Sequence, residues 1–114
     1  MEGLELIAFN IISTIGTAKS KVMESMIESR KGNFEKAAEL IAEANEFIVQ
    51  GEQEHFKVIT QEAKKEKVEL TLLFIHAEDQ LMSTVTLRDI AYESIENYRM
   101  LYDLKKTVEE KCKG

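Results

Sequence analysis

Proline and tryptophan are missing from this 114-residue chain, glycine occurs five times and cysteine once. The lack of proline removes the strongest breaker of helices, and few glycines leave few places for tight turns. A lone cysteine, Cys112, excludes an intrachain disulfide, and nothing beside it in the sequence gives that tail thiol a role. Apolar runs stay well short of the roughly 20 residues that span a bilayer. Basic residues do not outnumber acidic ones: the net charge is −6, which disfavours nucleic acid and anionic membranes as partners. The start, Met1-Glu2-Gly3, lacks the basic stretch of a signal peptide. The expectation is a cytoplasmic protein of one all-α domain.

What is present is helical spacing. Leu4, Ala8, Ile11, Ile15, Ala18, Val22 and Met26 alternate steps of four and three, predicting a bundle-type helix from near Gly3 to Lys31. Gly16 interrupts it and reads as a point of close packing against a neighbouring helix, or as room for a partner near a site. In Lys31-Gly32-Asn33, Gly32 suits the left-handed position after a helix and Asn33 the next N-cap, so helix two folds back antiparallel. Helix two is expected from Phe34 to about Ala63, with the small or slender residues Ala37, Ala44, Gly51 and Val58 recurring along one line. Glu62 to Lys67 is a charged stretch without apolar period, read as the second turn. Helix three is expected to start near Lys67 to Glu69 and end near Leu104. Residues 105–114 are polar and read as a disordered tail after a domain of residues 1–104.

The middle of helix three is unusual. Projected at about 100° per residue, His76, Asp79, Gln80 and Ser83 share one arc with Leu72, Leu73, Leu87, Ile90 and Ala91, while Phe74, Leu81 and Val85 face the other way. A helix apolar almost all round is buried on more than one side. Two other helices cover one side; further copies of the chain would cover the second. His76 is the one good nucleophile in the stretch, its neutral form available near pH 7. No phosphate-binding glycine loop, serine triad or zinc-ligand set accompanies it. A lone imidazole that takes up and gives away a phosphoryl group fits this poverty, since that chemistry asks mainly for positioning and electrostatics. Asp79, one turn on, has three open roles: orienting the ring, binding a metal, or plain exposure. If copies of the helix met on a symmetry axis, three like carboxylates would demand a hard cation such as Mg²⁺ or a raised pKa. His55 stands alone in helix two and reads as a packed or surface residue.

Three segments together resemble one known family. Gly16-Thr17-Ala18-Lys19-Ser20, Lys31-Gly32-Asn33-Phe34-Glu35-Lys36-Ala37 and above all His76-Ala77-Glu78-Asp79-Gln80-Leu81-Met82 are similar to motifs of the IIA components of the lactose/cellobiose family of the sugar phosphotransferase system. The resemblance covers residues 1 to about 104. It implies a three-helix protomer in a parallel homotrimer, a nine-helix bundle. It implies a phosphotransferase component in which His76 accepts phosphoryl from the phosphocarrier protein HPr and passes it to a cysteine of the IIB component. The IIC permease then delivers a β-linked disaccharide of the lactose, cellobiose or chitobiose class for phosphorylation. It also implies that Asp79 from each subunit meets its mates at a divalent metal, Mg²⁺, on the three-fold axis. The family motif usually reads His-Ala-Gln-Asp-His-Leu-Met, so Glu78 and Gln80 depart from it; Gln80 can still donate a hydrogen bond to a phosphoryl oxygen. In helix two the family often has His where Glu52 stands and Gln where His55 stands. Two other readings compete. A histidine phosphotransfer domain of two-component signalling typically has Lys then Gly three and four residues after its histidine, where this chain has Asp79 and Gln80. A helical adaptor would use His76 only as a core residue.

Overall fold

The computed structural model describes residues 3–113. Three helices, α1 (Gly3–Arg30), α2 (Phe34–Ala63) and α3 (Leu72–Cys112), run up, down and up, with no strand among the described residues. The protomer is a rod of 71 × 22 × 20 Å. α1 lies between the other two along its length, whereas α2 and α3 meet sparingly. One face of α3 is thereby left without a neighbour from its own chain.

The expected seams form the core. Ala8, Ile11, Ile15, Ala18 and Val22 of α1 are buried, and so are Ala37, Ala44, Gly51 and Val58 of α2. The small residues work by letting backbones approach: a Cβ built on Gly51 would lie 2.7 Å from Ile15 Cδ1 and 3.5 Å from Leu81 Cδ1. Gly16 behaves otherwise. A Cβ there meets nothing within 4 Å, so the close packing expected of it is absent within the protomer and the residue faces open space.

Gly32 takes φ +88°, the left-handed value expected after α1. Asn33 occupies the N-cap of α2, but its side chain makes no capping bond and instead lies 3.5 Å from Glu28 Oε1. Tyr102 closes this end: its hydroxyl donates to the Arg30 carbonyl at 3.0 Å, and its ring stands edge-on to Phe34.

Both expected ends of helix three are corrected. It starts at Leu72, because Thr71 caps it by accepting from the Phe74 N–H at 3.1 Å; charge pattern alone concealed that hydroxyl. It does not stop near Leu104 but stays helical through Cys112, so the segment read as a disordered tail is a helical overhang, with Gly114 outside the described residues. Five of residues 105–112 are lysine or glutamate, good helix formers, and no glycine or proline intervenes before the end, which lets an existing helix propagate at little cost.

Candidate functional site

Four inward residues, Phe74, Ala77, Leu81 and Thr84, lock the rotation of α3 against α1 and α2. Everything about the site follows from that rotation. His76 and Asp79 point away from the core and are exposed, and Gln80 at the margin is half-buried. Neither the His76 ring nor the Asp79 carboxylate makes a side-chain hydrogen bond or ion pair among the described residues. Ser83, on the same face, donates its hydroxyl to the Gln80 carbonyl at 3.2 Å.

The surroundings of His76 are apolar yet uncovered. Leu72 is 82% exposed, Ile75 52%, Met82 61% and Ile90 56%. The shared arc is narrower than the projection suggested: Ala91 is fully buried and Leu87 half-buried against the protomer's own core, because the helix turns those residues inward. Clefts lie at the α1–α2 turn and in the α2–α3 groove beside Asn45 and Tyr92, and His76 lines neither. His76 thus stands on a surface of one chain rather than in a pocket.

One contact escaped the sequence reading. His55 is neither isolated nor simply packed: its Nδ1 lies 2.7 Å from one carboxylate oxygen of Glu78 and 2.6 Å from the other. Glu78 therefore faces α2, on the side of α3 away from His76, two residues and about 200° round the helix. The pair ties α2 to the turn of α3 that carries His76. The clue was that residues 55 and 78 both depart from the family pattern, but only the packing of α2 on α3 reveals that they touch.

No group of three or more His, Cys, Asp or Glu residues able to hold a metal occurs among the described residues. A single chain offers Asp79 alone, so any metal at that position needs donors from other copies.

A family model described as the lactose/cellobiose-specific IIA subunit of the phosphotransferase system matches residues 6–99. This chain belongs to that family. It is 34% identical over 96 residues to the lactose-specific EIIA component of Staphylococcus epidermidis, covering 84% of this chain and 92% of the relative. It is 36% identical over 100 residues to the lichenan-specific enzyme IIA component of Bacillus subtilis, covering 88% and 91%. The fold matches the crystal structure of the cellobiose-specific enzyme IIA from Bacillus anthracis with a TM-score of 0.87 at 34% identity, over 90% of this chain and 94% of that one. Solution structures of a IIA(chitobiose)–HPr complex share the fold, with a TM-score of 0.78 at 22% identity over 90% of this chain and 99% of that one. The chain is thus a IIA phosphotransferase component, a phosphocarrier of a sugar uptake system. The histidine phosphotransfer and adaptor readings give way to it. No helix among the described residues is long and apolar enough to cross a membrane.

Proposed function

We propose that His76 is the phosphorylated nucleophile: a ring nitrogen takes the phosphoryl group in line from the phosphohistidine of HPr and hands it to a cysteine sulfur of the IIB component in the cytoplasm. The observation that carries this is the outward, unbonded imidazole of the family's motif, open to a partner on a rigid helix. Rigidity matters because phosphoryl transfer draws its acceleration from positioning. Gln80, half-buried on the next turn, supplies an amide donor for a phosphoryl oxygen. The chain's charge of −6 favours basic or neutral docking patches on HPr and IIB. The substrates would be β-linked disaccharides of the lactose, cellobiose and chitobiose class, chosen by IIC rather than by this chain.

The assembly that best suits this protomer is a parallel homotrimer with α3 innermost. Leu72, Ile75, Met82 and Ile90 on the uncovered face support it, since so much apolar surface on a narrow rod is expensive in water. The same face would then bring three Asp79 carboxylates together. An all-oxygen donor set, free of competing partners within each chain, fits a hard divalent cation such as Mg²⁺, whose part would be to neutralise like charges.

The test is mass spectrometry at neutral-to-basic pH after incubation with phosphorylated HPr. The expected result is one added acid-labile phosphate per chain, lost in His76→Gln. Full phosphorylation of His76→Gln would overturn the assignment.

A further inference from the structure

From Arg99 to Cys112 every residue of α3 is exposed, because the bundle ends at Tyr102 while the helix continues to Cys112. The overhang beyond Tyr102 is about 15 Å long at the helical rise. Within the protomer nothing among the described residues packs on it. Yet it carries a stripe: Leu101 is 57% exposed, Leu104 60% and Val108 52%. With Asn97 these residues follow steps of four, three and four, the spacing of a coiled-coil seam.

The seam lies on the face that carries Asp79. At about 100° per residue, Leu72, Asp79, Ile90, Leu101, Leu104 and Val108 fall within an arc of about 60°. Leu81 and Ile95, which pack on the protomer's own core, lie across the helix. Charge also changes along the chain. Residues 100–113 hold four lysines and three carboxylates, while the whole chain stands at −6, so the overhang lacks the repulsion that opposes self-association. The family model matches residues 6–99, so the overhang lies beyond the matched segment.

We propose that the overhang is a clasp: a parallel three-stranded coiled coil made with the same segment of two other copies, extending the axial contact of α3 beyond the bundle. A heptad seam is complementary to another such seam, and three-fold symmetry sets Leu101, Leu104 and Val108 each against their own counterparts. The proposal rests on the trimeric reading above.

Cys112 provides the probe, because it sits beside the seam and is the chain's one thiol. The full chain is treated with a short bismaleimide and analysed by denaturing electrophoresis and by sedimentation. The expected result is a covalent dimer that sediments as a trimer. Leu104→Glu, at a site exposed in the protomer, should sharply reduce crosslinking and raise the trimer dissociation constant by at least about tenfold. A trimer without crosslinks, or with crosslinks untouched by Leu104→Glu, overturns the clasp and leaves the trimer standing. Crosslinked material larger than a trimer also overturns it. A monomer at every concentration overturns the trimer and the clasp together.

Discussion

Replacing His55 and Glu78 by alanine, singly and together, measures how much the α2–α3 link contributes. The single Nδ1 of His55 faces both Glu78 oxygens, at 2.7 and 2.6 Å, and a hydrogen bond from it to a charged carboxylate is worth about 1.5–3 kcal/mol. Fully exposed pairs return only about 0.2–1 kcal/mol. Side-chain exposures of 31% for His55 and 20% for Glu78 place the pair between these cases. The expected coupling energy is therefore about 1 kcal/mol. Urea unfolding of the four proteins at one pH and one protein concentration measures it, the latter held constant because assembly adds to apparent stability. Glu78→Gln should recover part of the loss, since the amide oxygen still accepts from an imidazole N–H. The extent of His76 phosphorylation should be unchanged in all of them, because Glu78 faces α2. A coupling under about 0.3 kcal/mol, the level expected of independent sites, would refute the reasoning.

Other expectations follow from single features. In the proposed trimer, Asp79→Leu should leave an assembly at least as stable as wild type by sedimentation equilibrium, because it would replace like charges meeting on the axis with apolar surface; dissociation would count against the axial placement. Gly32→Ala should lower stability by about 2 kcal/mol or more, from the left-handed φ and from a Cβ placed 2.9 Å from the Tyr102 ring; denaturant titration reads it, and an unchanged midpoint would contradict that turn. Lys21 and Glu43 join α1 to α2 at 2.7 Å, and the hydrogen bond from Lys21, then its charge, lowers the Glu43 pKa. A lowered carboxyl pKa stabilises above the ordinary carboxylate range and ceases to do so as pH falls through the lowered value. The melting-temperature gap between wild type and Glu43→Gln should therefore be present at neutral pH and close in acid; a gap that persists in acid would argue against the pair.

Much of this protein is determined by local pattern. Steps of three and four residues settled which faces of α1 and α2 are buried, since a helix has one repeat and apolar residues spaced on it can only form one stripe. Gly32 announced its turn because almost no other residue takes that backbone freely. The His76 motif carried the family through the identity and order of its side chains. Other features belonged to the packing of one helix on another. Gly16 and Gly51 look alike in the sequence, yet only Gly51 meets a neighbour, because the rotation of each helix decides what lies opposite. His55 and Glu78 are 23 positions apart and become partners only where α2 crosses α3. The outward turn of His76 is likewise a tertiary fact: burial of Phe74, Ala77 and Leu81 consumes one side of α3, and the imidazole is left on the other.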